Sequence, residues 1–419
     1  MSGNPPGSRT QDQKVSDISK AREDREAREV RPEAEAARAP QSLPSPEAHR
    51  AAGNRPVPGG RKMPPPRLVR IVERLRESVF RLHQKMMPPP VTMLEMITAG
   101  MVSQALQVAA TLGIADALAD GPHTPKEIAR TVGADPDGVH RLLRALASYG
   151  VFRADRSGRY ALTPLASTLR SDAQMSLRSI AMFTNVPEQR EHWSYLLDAV
   201  RTGEPVMEKV RGVDVWTFFE KNEELADVFN DAMSDFSHFT LAPVTAAYDF
   251  TPFTSVVDVG GGQGAMLAAI LARAPHTTGT VFDLSSAVAG AEDTLREAGL
   301  TGRGSVEAGS FLEHVPEGGD CYLLKNVLHN WPDEEVALIL RNVRRAIAPG
   351  GRLLVIELII PEGNGAHPGK LSDLDMLLLV GGRERTEAEF RTLLTTAGFH
   401  LARTVPTASP LSILEATPA

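Results

Sequence analysis

The spacing of apolar positions changes along this chain, and each change marks a different kind of structure. Residues 1–66 hold almost no large apolar side chains and are rich in Pro, Ala, Arg and Glu. Such a segment cannot offset its ordering entropy by burial, so a disordered tail is expected there. From Arg67 to Lys85 the pattern sharpens: Leu68, Val72, Leu75, Val79 and Leu82 recur at alternating intervals of four and three, a seam along one helix face. Arg70, Arg74, Arg76, Arg81 and Lys85 surround it. This reads as a basic amphipathic helix over 67–88, ended by Pro88-Pro-Pro90. Its expected use is packing across a subunit interface, with an anionic membrane surface as the alternative.

Residues 89–248 read as almost wholly helical, with Met, Leu and Ala at helical spacing through Met93–Ile97 and Val102–Leu118. Within them, Thr124-Pro and Asp135-Pro each supply a cap and an early proline for a short helix. Two short strands follow, Val151 to Ala154 and Tyr160 to Leu162, turned at Ser157-Gly158. Helix, turn, helix and wing raise DNA binding as a rival function, since residues 121–171 hold eight Lys/Arg against four acids. Only His140, Arg141 and Arg144 offer groove contacts from the second helix, whose Leu-rich face needs burial, so dimerisation or substrate capping is the expected role.

Over residues 249–419 apolar strand-like runs near 255–259, 279–283, 304–308, 320–325, 351–358, 399–405 and 411–416 alternate with helical segments. That alternation predicts an α/β fold, a Rossmann-like doubly wound and mostly parallel sheet covered on both faces. Only Pro406 to Pro410 separate the last two runs, so the sheet is expected to end in an antiparallel hairpin.

Charge divides the chain in two. Residues 1–88 hold 18 Lys/Arg against 11 Asp/Glu and the remainder 27 against 41, giving +7 and −14 within a formal net charge of −7. An acidic body argues against nucleic-acid partners. No apolar run approaches the length of a membrane span and the N-terminus lacks a signal-peptide core, so a cytoplasmic protein without membrane attachment is expected. Cys321, the single cysteine, excludes a disulfide framework and reads as a small core residue.

The most informative stretch is Ser255-Val-Val-Asp-Val-Gly-Gly-Gly-Gln-Gly264, a buried strand breaking into glycines that let backbone approach a ligand before a helix N-terminus. Asp283 follows nineteen residues after Gly264, at the end of the next run, where a carboxylate can accept ribose hydroxyls. The loop also satisfies a dinucleotide fingerprint through Gly260, Gly262 and Ala265. On its own it leaves a nicotinamide cofactor and another nucleoside cofactor open. The terminal hairpin weighs against the nicotinamide oxidoreductase arrangement. Ligands of such sheets sit beyond the strand carboxyl ends, which nominates His329, after the strand Asp320–Lys325, as a general base. Glu357 ends the strand Arg352–Glu357, and Glu384 lies in Gly381-Gly-Arg-Glu-Arg-Thr386; either carboxylate can orient the imidazole.

Taken in order, these motifs resemble the S-adenosylmethionine-dependent O-methyltransferases of the plant caffeate and bacterial polyketide type, over about residues 91–419. The resemblance implies a homodimer that moves a methyl group to a hydroxyl of a small aromatic or polyketide-like acceptor. It implies a cofactor site of Asp258, Gly260, Gly261, Gly262, Asp283, Leu284, Ser310, Phe311, Lys325 and Ser237. His329 takes the base role, flanked by Glu357 and Glu384, and no metal is needed. Phe229 through Ser237 is similar to the helix that covers cofactor and acceptor, and Met233, Phe236, Phe183, Trp193, Trp331 and Met376 are the candidate acceptor pocket. Two departures stand out: Ser310 replaces the family's common aspartate at the adenine, and Asn330 follows His329 where plant members have aspartate. The rivals are the oxidoreductase, a winged-helix DNA-binding regulator that keeps the fold, and a diverged reaction such as N-methylation, hydroxylation or decarboxylation.

Overall fold

The computed structural model describes residues 66–419; the tail expected over 1–66 lies outside the described residues except for Pro66. The first helix, Pro66–Met86, matches the expected seam closely. Pro88-Pro-Pro90 separates it from a second helix, Pro89–Thr111, which Pro89 opens rather than blocks, because a first-turn amide has no intrahelical partner to lose. Thr92 Oγ1 donates to the Gln84 carbonyl across the joint at 3.3 Å. Both helices leave large apolar side chains uncovered, among them Leu75 at 63%, Val79 at 58%, Ile97 at 71% and Met101 at 73% exposure.

The expected helix, turn, helix and wing is present. Thr124 and Glu127 form a reciprocal cap on the helix Pro125–Val132, and Asp135 accepts from the Gly138 N–H at 2.8 Å to start Pro136–Ser148. Strand β1 (Phe152–Ala154) pairs antiparallel with β2 (Tyr160–Leu162). Leu143, Leu146, Ile128 and Phe152 close a core beneath them. Of the three side chains raised as groove contacts, His140 lies edge-on to Tyr160 with ring centroids 6.1 Å apart, and Arg141 is 3.9 Å from Asp137 on its own helix.

The larger sheet contains β3 (Ser255–Val259), β4 (Thr278–Asp283), β5 (Gly304–Ala308), β6 (Cys321–Lys325), β7 (Arg352–Glu357), β8 (Phe399–Pro406) and β9 (Ser412–Pro418). Their spatial order is β5-β4-β3-β6-β7-β9-β8. The first five are parallel, while β9 inserts antiparallel between β7 and β8. Alternate strand residues face opposite cores: Val256, Leu323 and Leu354 join Leu267, Ile270 and Val244 on one side, and Val257, Tyr322 and Leu353 join Ile339, Val343 and Phe390 on the other. Burial of both faces is why these strands read as unbroken apolar runs. Cys321 is fully buried among them.

The helix Glu223–Ala247 ties the sheet to the helical cap. Its later residues Leu241 and Val244 pack on the sheet, and earlier Phe229 stacks on Phe219 at 4.5 Å. Among the described residues no helix is long and apolar enough to cross a membrane.

Candidate active site

The strand order reverses between β3 and β6, and the carboxyl ends of β3, β4, β6 and β7 converge there. Gly260 takes φ 71°, and a β-carbon on it would lie 2.5 Å from Val327 Cγ2; this contact presses the glycine loop against the segment that carries His329. Gly261 is also crowded, though less so, its β-carbon position being 2.9 Å from the Asp258 side chain. At Gly262, with φ 52°, a β-carbon would instead meet open space. Asp283 accepts from the Gly262 N–H at 3.1 Å and from the Leu284 N–H at 2.8 Å, one bond per oxygen, leaving a lone pair on each. Burial raises its carboxyl above the usual range, against the pull of those two amides.

Two buried charges sit under the loop. Asp258 is 2% exposed, and its Oδ2 has no hydrogen-bond partner. Burial pushes its pKa up to about 7, with the Lys325 ammonium acting the other way. Lys325, at the end of β6, is pushed down by burial while Asp258 and Glu357 hold it up. It donates to Ser237 Oγ on the helix Glu223–Ala247 at 3.3 Å, linking strand end to cap.

His329 lies in a one-turn 3₁₀ segment, Leu328–Asn330, after Asn326, the one described non-glycine residue at positive φ, 53°. Sparsely populated backbone of that kind persists where the surroundings over-determine it. Here they do: Glu357 Oε1 accepts from the Val327 and Leu328 N–H groups, each at 3.0 Å, and Arg385 donates to the Leu328 and Trp331 carbonyls at 3.0 and 2.8 Å. His329 Nδ1 is 2.9 Å from Glu384 Oε1 and 3.9 Å from Glu357 Oε2. A carboxylate only accepts, so Nδ1 carries the proton and Nε2 keeps the free lone pair. Burial pushes the imidazole pKa down, but Glu357 and then Glu384 outweigh it and hold it above the ordinary 6.5. Burial likewise lifts Glu357 to about 7, opposed by His329.

These three side chains also offer ligand atoms within 4.8 Å of one another. Glu384 Oε1, however, is already committed to His329 and to the Ser372 hydroxyl, at 2.7 Å. The arrangement suits a shared proton.

Ser310 and Phe311 follow β5 as expected; Ser310 Oγ accepts from the Leu312 N–H at 3.3 Å. Leu284 is 51% exposed at the end of β4. The acceptor candidates divide. Trp193 and Met376 lie in the elements that face each other beside His329, joined by a Trp193 Nε1 to Asp375 bond of 3.1 Å. Met233, 41% exposed, and half-buried Phe236 lie on the helix Glu223–Ala247 with Ser237. Phe183 packs instead against Phe229 at 5.3 Å within the cap. Trp331 turns edge-on to Phe311 at 5.8 Å.

Comparison with known proteins decides the family. Residues 193–400 match the O-methyltransferase domain and residues 94–172 the O-methyltransferase dimerisation domain. The phenazine O-methyltransferase PhzM of Lysobacter antibioticus is 43% identical over 326 residues, 78% of this chain and 95% of that protein. The chain belongs to the S-adenosylmethionine-dependent O-methyltransferases. A solved relative, the O-methyltransferase NcsB1 of neocarzinostatin biosynthesis in complex with S-adenosylmethionine and 2-hydroxy-5-methyl naphthoic acid, superposes with a TM-score of 0.66 at 35% identity, covering 76% of this chain and 96% of that one. Another relative carries a different activity in its name: the aclacinomycin 10-hydroxylase RdmB of Streptomyces purpurascens, 37% identical over 303 residues, 71% of this chain and 81% of that protein.

The methyltransferase therefore uses S-adenosylmethionine as its cofactor, not a nicotinamide. The loop fits that group: open backbone at Gly262, a carboxylate at Asp283 with lone pairs to spare, and an unsatisfied buried acid at Asp258 suit a ligand that carries both a ribose and cationic centres. Several residues at the site gain a role only from the tertiary fold. Gly382 is one, since a β-carbon there would lie 2.1 Å from the His329 carbonyl oxygen. Arg385, fully buried, also grips Asp333 through Nε and Nη2 at 3.0 and 2.7 Å. Asp373 accepts from the Glu384 N–H at 2.9 Å. Ser372, Asp373 and Asp375 belong to the helix Gly369–Leu379, from which the sequence nominated only Met376.

Proposed function

We propose that His329 Nε2 is the general base of the methyl transfer, taking the proton of an acceptor hydroxyl. S-adenosylmethionine held by the loop supplies an electrophilic methyl group on a sulfonium. A neutral phenol is a weak nucleophile, so a positioned imidazole contributes about 10²- to 10⁴-fold. Glu384 fixes the Nδ1–H tautomer, and both glutamates stabilise the imidazolium formed on proton uptake. Gly260, Gly261, Gly262, Asp283, Leu284, Ser310 and Phe311 form the donor cradle in this reading, with Asp258, Lys325 and Ser237 beneath it. The observation that carries it is the 2.9 Å bond between His329 Nδ1 and Glu384 Oε1, made beside a loop that Val327 pins to the same segment.

The acceptor in this reading is a flat hydroxylated aromatic of the phenazine or naphthoate kind. The functional protein is a homodimer, supported by the match to a dimerisation domain and by the uncovered apolar side chains of the two N-terminal helices; a cytoplasmic location accords with the sequence. Incubation with methyl-labelled S-adenosylmethionine and a panel of hydroxylated phenazines, naphthoates and anthraquinones, read by mass spectrometry, tests the reaction. It also separates methyl transfer from hydroxylation. His329→Ala is expected to lower kcat about 10²- to 10⁴-fold while leaving donor affinity within a factor of about three. Unchanged turnover would remove His329 from the mechanism.

A further inference from the structure

One acid beside the base is unexplained by methyl transfer alone. Asp375 lies three residues after Ser372 on the helix Gly369–Leu379, so the two share a helix face. Ser372 donates to Glu384 Oε1 at 2.7 Å, and that oxygen is 2.9 Å from His329 Nδ1; the face therefore looks onto the base. Asp375 Oδ1 accepts from Trp193 Nε1 at 3.1 Å, across from the capping helix Pro187–Ser194. Among the described residues no Lys or Arg forms an ion pair with it, in contrast to buried Arg385 and its Asp333. Half-buried carboxylates without a cation are costly and tend to be retained for ligands. Burial raises its pKa, against the Trp193 bond and the charge of His329.

We propose that Asp375 is a specificity contact in the acceptor pocket, its free oxygen accepting a hydrogen bond from a second hydroxyl or an amine adjacent to the hydroxyl that is methylated. The inference rests on the acceptor reacting at His329. It selects vicinal diols and aminophenols over acceptors with a single hydroxyl. Without such a donor on the ring, Asp375 Oδ2 faces the acceptor unpaired, which is where discrimination arises.

The test measures kcat/KM for 2-amino-1-naphthol, 1,2-dihydroxynaphthalene and 1-naphthol with labelled S-adenosylmethionine, in the full chain and in Asp375→Asn, Asp375→Ser and Trp193→Phe. The full chain is expected to favour the two substituted acceptors by about 10- to 100-fold, the range of a hydrogen bond to a charged group. Asp375→Asn keeps an acceptor for Trp193 and is expected to reduce the ratio to within threefold, as is Asp375→Ser. Trp193→Phe removes the indole donor, leaves the carboxylate, and keeps the ratio. An unsubstituted preference of the full chain for 1-naphthol, or a ratio that survives both Asp375 variants, overturns the proposal while leaving the methyltransferase reading in place. A ratio lost in Trp193→Phe but kept in Asp375→Asn assigns the pair to clamping the cap and also overturns it. Absence of methyl transfer to every acceptor defeats the proposed reaction and this inference together.

Discussion

Gly382→Ala isolates the positioning of His329 from its chemistry. The added β-carbon would lie 2.1 Å from the His329 oxygen, 2.6 Å from the Asn330 carbonyl carbon and 2.8 Å from the Trp331 nitrogen. All three are main-chain atoms, so no flexible side chain can swing aside. Real β-carbon contacts stay above 3.0 Å, so the carbonyl must retreat by about 0.9 Å. That same oxygen accepts from the Arg383 N–H at 2.9 Å, and Arg385 holds the Leu328 and Trp331 carbonyls on either side. The loop cannot slide as a unit without breaking those bonds. A misplacement of about 1 Å at a reacting group lowers rates by about 10²-fold, and overpacking of this kind costs about 1–3 kcal/mol of stability. Turnover with labelled donor, calorimetric donor affinity and thermal unfolding measure the parts separately: kcat is expected to fall about 10²-fold with donor affinity nearly intact. A variant that retains kcat within threefold and unfolds at the same temperature would refute the argument that this glycine fixes the base.

Two other perturbations probe charge and assembly. Glu384→Gln removes one of the carboxylates that keep the imidazole above 6.5. A base must be neutral to accept a proton, so kcat/KM of the native enzyme should decline as pH falls through a value above 6.5. In the variant Glu357 is the one carboxylate of the two left to oppose burial, so the acid limb should move to lower pH; a limb that stays in place or moves up contradicts the assigned coupling. Leu75→Asp combined with Val79→Asp places charge on side chains that are 63% and 58% exposed in the protomer. Protomer stability should change by less than about 0.5 kcal/mol per site, whereas the dimer dissociation constant in sedimentation equilibrium should rise at least about tenfold. A dimer of native affinity would place that seam outside the subunit interface.

The middle of the sheet was legible because β3, β6 and β7 are buried on both faces, so periodicity collapses into apolar runs that length and flanking glycines identify as strands. Their ends were less so. β8 and β9 extend to Pro406 and Pro418, beyond the expected 405 and 416, because Pro406 pairs with Ser412 and Phe399 with Pro418, partners that local sequence does not reveal. Pro88-Pro-Pro90 read as a stop, yet Pro89 starts the next helix. His329, Glu357 and Glu384 were found as strand-end and motif residues, but the bond between His329 and Glu384 spans 55 residues and needs the tertiary fold. Trp331 was named as a candidate acceptor residue; its edge-on contact with Phe311, 20 residues away in sequence, is a tertiary feature that the local sequence does not show. Gly382 and Arg385 lie in the motif around Glu384, and Ser372 and Asp375 close to Met376, but none shows its role locally, since each acts on backbone or side chains brought from elsewhere.

The charges of the site follow one logic. Asp258, Asp283, Glu357, Glu384 and Asp375 lie near Lys325 and His329, and burial raises the pKa of Asp258 and Glu357 to about 7 and lifts Asp283 and Asp375. Carboxylates withdrawn from water disfavour their charged form until a cation approaches. A methyl donor bearing a sulfonium is such a cation, and a thioether product is not. The expense of holding those acids is met elsewhere, by the central strands β3, β6 and β7, buried on both faces, which leaves oxygens of Asp258, Glu357 and Glu384 free to be unsatisfied.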